Sequence, residues 1–159
     1  MEKNKKLIPG LPTGFEDRWD NKLYLKKKLL RLIEENFIKY GFEPLETPSF
    51  EISENIGSFL ADDDSNPMSD VFTFNDGEKN ITLRYDLSSP LARFVAQNNQ
   101  QLPLPYKRYA IQNVFRNEKA GNARYREFTQ ADCDIVGNVN PAQSNAELCN
   151  LIASTLINC

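Results

Sequence analysis

Between Tyr109 and Gly137 the chain reads YAIQNVFRNEKAGNARYREFTQADCDIVG, two strand-like segments flanking a basic loop that contains a glycine. No other stretch limits the fold as much. In the second segment Arg126, Phe128, Gln130, Asp132 and Asp134 recur at every second position, so a strand turns all five side chains to one face of a sheet. Polar groups are costly to bury unless they are paired. A sheet face of this make-up stays wet or holds a polar ligand.

The rest of the chain supplies elements to pack around that pair. Residues 1–19 are punctuated by Pro9, Gly10, Pro12 and Gly14 and read as irregular. From Asp20 to Tyr40, Leu25, Leu29, Leu32, Ile33, Phe37 and Tyr40 recur at helical spacing, and Gly41 follows where a helix-ending glycine belongs. Phe42 to Leu45 is a short strand limited by Pro48. Between Ile52 and Asp70, Phe59 and Leu60 offer an anchor and ADDDSNP reads as a solvated acidic loop. Val71 to Phe74 and Ile81 to Tyr85 flank an Asp-Gly turn and predict a hairpin. Ser89 as cap with Pro90 behind it opens a helix toward Asn98, and Pro103 and Pro105 end regular structure. Two long strands follow, Tyr109 to Arg116 and Tyr125 to Val136, joined by the loop from Asn117 to Arg124. Asn140-Pro141-Ala142-Gln143 then opens a helix through about Ile157 whose apolar stripe is Leu148, Ile152 and Leu156. The order predicts one α+β domain, a mainly antiparallel sheet backed by helices on one side.

Composition narrows the chemistry. With 40% apolar and 26% charged residues, the chain is that of a soluble, ordered protein. No run approaches the roughly 18 apolar residues of a membrane span, so the expectation is a cytoplasmic protein without membrane contact. The complete absence of histidine excludes His-based zinc sites, triads and general bases, and three cysteines show no metal-ligand spacing. A net charge of -3 argues against broad nucleic-acid binding. Basic residues nevertheless gather at Lys107, Arg108, Arg116, Lys119, Arg124 and Arg126, which suits a small polyanion. Neither GxGxxG nor GxxxxGK[ST] occurs.

Several residues can carry binding chemistry. Arg116 can clamp a phosphate through its planar fork, with Glu118 orienting a guanidinium or meeting magnesium; a solvated cross-strand Arg-Glu pair is the plainer alternative. Phe128 between Arg126 and Gln130 can stack on a base, or serve as core. Gln130 and Asp134, roughly 13 Å apart along a strand, can form with Asp132 a socket for an ammonium or imidazole N–H, or simply a wet edge. Asp86 and Ser88 can accept from an amine or cap the helix near Pro90.

Four segments in order carry a resemblance: LPTGFEDRW at 11–19, FIKYGFEPLETPSFE at 37–51, ITLRYDLSSPLARFVAQN at 81–98 and YKRYAIQNVFRNEKAGNARYREFTQADCDIVG at 106–137. Over essentially its whole length the chain resembles the N-terminal part of the class II catalytic domain of histidine-tRNA ligases, with GFEPLETPSFE similar to motif 1 and FRNEKAGNARYREF similar to motif 2. The resemblance implies ATP, carried with Mg2+, as substrate complex. Arg116 is then the catalytic group at the α-phosphate, Glu118 touches the nucleotide with a contact to magnesium open to it, Arg124 and Arg126 lie by the phosphates, and Phe128 stacks on adenine. Asp86, Ser88, Gln130 and Asp134 hold histidine. The implied partners of the full-length enzyme are histidine, ATP and tRNA(His), with a homodimer formed through Tyr40 to Glu51. Motif 3 and an anticodon-binding domain are absent from these 159 residues, so the expectation is an incomplete catalytic domain, inactive or nearly so alone. Two alternatives stay open: the regulatory subunit of ATP phosphoribosyltransferase, a non-charging paralog, and a dimerising module without catalysis.

Overall fold

The computed structural model describes residues 8–56 and 70–158. The anchor expected at Phe59 and Leu60 and the acidic loop after it lie outside the described residues. Helix α1 spans Asp20–Lys39 and closes where the Tyr40 N–H donates to the carbonyls of Asn36 and Phe37. Gly41 follows at φ 77°, a left-handed conformation that glycine adopts without steric penalty. The predicted stripe is only half used: Phe37 is buried with Ile33 and Tyr40 beside it, while Leu25 and Leu29 are exposed.

After α1 come β1 (Glu43–Pro44), β2 (Phe50–Ile52), the short helix α2 (Ser53–Ile56), β3 (Thr73–Asn75), β4 (Asn80–Leu83), α3 (Ser88–Asn98), β5 (Tyr106–Phe115), β6 (Glu127–Val136) and α4 (Pro141–Asn158). Among the described residues the strands form two three-stranded sheets rather than one. In the smaller, β4 lies between β2 and β3, antiparallel to both, and the expected hairpin turns at Asp76, whose Oδ1 accepts from the N–H groups of Glu78 and Lys79. In the larger, β5 pairs antiparallel with β6 from Tyr106↔Val136 to Phe115↔Glu127, and β1 adds a short parallel edge. Arg84, 3% exposed, fastens the sheets together: Nε donates to the Asn113 carbonyl at 2.6 Å and Nη1 to the Thr47 carbonyl at 2.7 Å. Carbonyl partners are what make so deep a guanidinium tolerable.

The pleat of β5 and β6 divides the molecule. Tyr109, Ile111, Cys133 and Ile135 face the helices and join Phe37, Phe42, Leu148 and Leu151 in the main core. The alternate residues Arg108, Ala110, Gln112 and Val114 stand opposite Asp134, Asp132, Gln130 and Phe128 on the other face. Helices α1 and α4 thus back one side, while α3 meets the other at its Tyr106 end, where the Phe94 ring lies 6.3 Å from that of Tyr106, and the polar residues predicted from the sequence continue along that face beyond it.

Helix α4 departs from the expected face, and α3 from the expected cap. In α4, Leu151 is 1% exposed and Leu148 packs beside it, whereas Ile152 and Leu156 of the predicted stripe are 54% and 72% exposed. Asn36 selects the buried face: its Nδ2 donates to the Leu151 carbonyl and the Ser154 hydroxyl, both at 3.0 Å, and reaches Thr155. An apolar count cannot see a polar partner on another helix. The Asn140 cap is as expected, its Oδ1 accepting from Ala142 and Gln143. Helix α3 begins at Ser88, and Asp86 rather than Ser89 does the capping, its Oδ1 accepting from the Ser89 N–H at 2.9 Å. Pro90 still sits in the first turn, where a missing N–H leaves no helical bond unmade.

Candidate functional site

One end of the polar face is a cleft of about 390 Å³ lined by Arg116, Glu118, Ala123, Arg124, Tyr125 and Phe128, within the size range of small-ligand sites. The ends of β5 and β6 create it, because the Arg116 N–H donates to the Arg126 carbonyl and the connecting loop folds back over the strands. The Arg116 guanidinium lies between two rings, its carbon 4.4 Å from the Tyr85 centroid and 5.0 Å from that of Phe128. Phe128 itself packs against Leu87, Ala110 and Val114, so the ring joins a small core to the cleft.

Glu118 is held from both sides. It accepts from the Tyr85 hydroxyl at 3.0 Å through Oε1 and pairs with Arg124 through Oε2. The bond from Tyr85 is the chief cause holding its carboxyl below the usual carboxylate range, with Arg124 and Arg116 adding to it. Burial pushes the Tyr85 hydroxyl up, and Glu118 raises it further. Each carboxylate oxygen keeps a second lone pair beyond these partners, so a contact to magnesium stays open to Glu118. Among the described residues no cluster of three or more His, Cys, Asp or Glu side chains is arranged to hold a metal. Arg126 does not line the cleft. It lies one residue before β6, donates through Nε to the Glu118 carbonyl at 2.9 Å and through its N–H to the Gly14 carbonyl at 2.8 Å, and so ties the loop to the N-terminal segment.

Farther along the same face lies a group of carboxylates. Burial pushes the Asp132 carboxyl up; Arg108 opposes the shift, while Asp134 and Asp86 add to it, so all three acids and the arginine share one neighbourhood. Arg108, 1% exposed, brings Nη2 to 2.6 Å from Asp134 Oδ2 and donates to the Leu87 carbonyl at 3.0 Å. The approach to Asp134 is close but off-axis for a hydrogen bond, so charge rather than alignment holds it. Gln130 Oε1 is buried with no hydrogen-bond partner among the described residues. A buried acceptor without a donor is uncommon, and a ligand N–H would complete it. Ser88 is exposed on the first turn of α3, and Asp86 caps that helix with one oxygen.

The residues singled out in the sequence therefore fall into two groups on one face, the cleft set Arg116, Glu118, Arg124 and Phe128 and the acidic set Asp86, Gln130 and Asp134. Tyr85 was missed as a contributor, and Arg108, expected in the basic group for a small polyanion, is instead buried against Asp134. Tyr85 lies inside a segment already marked for Asp86, and Arg108 pairs with Asp134 only through the strand register. A larger hollow of about 600 Å³ over residues 16–22 brings together none of these groups.

The histidyl-tRNA synthetase family model matches residues 14–159. A histidine--tRNA ligase from Pelagibacter ubique (strain HTCC1062) is 81% identical over 159 residues, which are 100% of this chain and 34% of that protein. One from Rhodopseudomonas palustris (strain TIE-1) is 45% identical over 156 residues, 98% of this chain and 30% of that protein. The chain thus spans about a third of the length of the curated relatives it matches. Among solved structures, a histidyl-tRNA synthetase from Nostoc sp. PCC 7120 superposes with a TM-score of 0.71 at 28% identity, covering 91% of this chain and 34% of that one. An ATP phosphoribosyltransferase regulatory subunit/histidyl-tRNA synthetase from Bacillus halodurans C gives 0.78 at 25% identity, covering 98% and 39%.

Proposed function

The chain belongs to the histidyl-tRNA synthetase family, and from that premise we propose that it carries the ATP and histidine contacts of a class II histidine-tRNA ligase, as the motif 1 and motif 2 portion of a longer catalytic domain. The observation that carries the reading is Arg116, held between Tyr85 and Phe128 at the cleft, on the same sheet face as an unpartnered Gln130 acceptor and three carboxylates. An anion fits one end and an amino acid rich in N–H donors fits the other.

The reaction joins the two ends. A carboxylate oxygen of histidine forms a bond to the α-phosphorus of ATP while the bond to the bridging oxygen breaks, and pyrophosphate leaves with the electron pair. The carboxylate is already ionised at neutral pH, so no general base is required and a chain without histidine loses nothing. Arg116 holds the α-phosphate and stabilises the charge developing there. Arg124 takes the triphosphate end, Glu118 the nucleotide, and Phe128 the base. Asp86 and Ser88 receive the α-amino group, and Gln130 with Asp134 the rest of histidine. Arg126 serves by holding the loop in place. Magnesium arrives with ATP and neutralises phosphate charge. A ribose hydroxyl at the 3' end of tRNA(His) then forms an ester bond to the histidyl carbonyl carbon and loses its proton while the acyl–phosphate bond breaks and AMP leaves, in the cytoplasm and in a homodimer formed through Tyr40 to Glu51.

Separate calorimetric titrations of the chain with ATP·Mg2+ and with histidine test the proposal. Binding of both supports it; binding of neither overturns it. The Bacillus halodurans likeness gives a second reading, a non-charging regulatory paralog, which copurification with a phosphoribosyltransferase catalytic subunit would favour.

A further inference from the structure

Arg108 is the deepest charge on the polar face, and the cleft chemistry does not use it. It stands directly opposite Asp134 in the β5–β6 register, is 1% exposed, and has an Nε without a hydrogen-bond partner among the described residues. A single terminal nitrogen makes both polar contacts, 3.0 Å to the Leu87 carbonyl and 2.6 Å to Asp134 Oδ2. Leu87 lies between Asp86 and Ser88, at the start of α3. The guanidinium therefore clamps the α3 start to β6, across the gap between the two halves of the acidic group. Burying a guanidinium with so few partners is expensive, and a neighbourhood of three carboxylates is what offsets it.

We infer that Arg108 is the positioning residue for the amino-acid end of the site: by bridging the Leu87 carbonyl and the Asp134 carboxylate it sets the spacing between Asp86 with Ser88 and Gln130 with Asp134, and so selects for histidine without acting on ATP. The inference rests on the proposed function. Its mark is selectivity, because the ATP cleft is built by Arg116, Tyr85 and Phe128 and shares no bond with Arg108.

Calorimetry on the chain with histidine and, separately, ATP·Mg2+ tests it in R108Q, which removes the charge and keeps an amide donor, and in R108K. Loss of one partner of a buried charge pair predicts a histidine Kd raised about tenfold or more in R108Q, with the ATP Kd within about twofold. R108K, whose ammonium can still bridge carbonyl and carboxylate, restores histidine binding to within about threefold. If R108Q fails to fold by circular dichroism, the comparison is D132N against D132N/R108Q, where one surplus negative charge is gone. Unchanged histidine affinity, or histidine and ATP affinities falling together, overturns the inference alone. An unsubstituted chain that does not bind histidine overturns it together with the functional reading beneath it.

Discussion

The guanidinium of Arg116 lies over the ring of Tyr85, 4.4 Å from its centroid, while the hydroxyl of the same tyrosine donates at 3.0 Å to Glu118. One side chain thus places a cation by its π face and an anion by its hydroxyl. Both charges line the cleft, so Tyr85 organises it without contributing charge of its own.

Tyr85→Phe separates these two jobs. The ring stays under Arg116 and the bond to Glu118 is lost, so the Glu118 carboxyl should rise toward its ordinary value. The sign follows from linkage: a carboxyl held low in the folded state stabilises it fully above the ordinary carboxylate pKa, and that contribution fades as pH falls through the lowered value. Carboxyl-carbon NMR titration should show Glu118 protonating at higher pH in Tyr85→Phe than in the unsubstituted chain. Coincident curves would mean that Arg124 and Arg116 set the ionisation without Tyr85.

Phe128 cannot serve Arg116 and a base on the same patch of ring. The guanidinium carbon is 5.0 Å from the Phe128 centroid, so under the proposed function an adenine stacking there would take its place and release Arg116 toward the phosphates. Adding ATP should weaken the NOEs between the Arg116 and Phe128 side chains while those between Arg116 and Tyr85 persist, and adding histidine alone should change neither. Arg116–Phe128 NOEs undiminished at saturating ATP would place the base elsewhere.

How far the sequence discloses this site depends on the range of the interactions. The alternation from Arg126 to Asp134 is a property of consecutive residues, and β6 keeps it from Phe128 onward. Arg126 falls out because the loop, not the ladder, claims it. Arg108 and Asp134 meet only once a register is chosen, and nothing local in YKRYAIQ marks Arg108 as buried. The face of α4 is hidden for the same reason, since Asn36 lies on a helix more than a hundred residues away in sequence.

That last misreading has a direct thermodynamic counterpart. Leu151→Ala empties a fully buried position and should destabilise the chain by about 2–5 kcal/mol in urea unfolding. Ile152→Ala, at the neighbouring exposed position, should stay within about 0.5 kcal/mol. Asn36→Ala leaves the Ser154 and Thr155 contacts without their donor and should fall between them, at about 1–3 kcal/mol. A larger loss from Ile152→Ala than from Leu151→Ala would restore the stripe expected from spacing alone.

Gly14 links the N-terminal segment to the cleft through Arg126. Its carbonyl accepts from the Arg126 N–H at 2.8 Å, it sits at φ +86°, and a Cβ built on it would come within 2.7 Å of Arg126 Cγ and 3.1 Å of Ala120 Cβ. Gly14→Ala therefore meets two penalties, a left-handed backbone that L side chains rarely adopt and a clash with the stem of Arg126. Relief requires Arg126 to move, and that movement breaks its bond to the Glu118 carbonyl on the cleft loop. The expected outcome is a loss of about 1–3 kcal/mol in stability together with weaker ATP binding. Gly10→Ala is the control, since nothing lies within 4 Å of a Cβ there. Melting curves with and without ATP·Mg2+ should show a lower melting temperature and a smaller ATP-induced rise for Gly14→Ala, with Gly10→Ala matching the unsubstituted chain. An undiminished ATP-induced rise in Gly14→Ala would show that the loop keeps its place without Arg126.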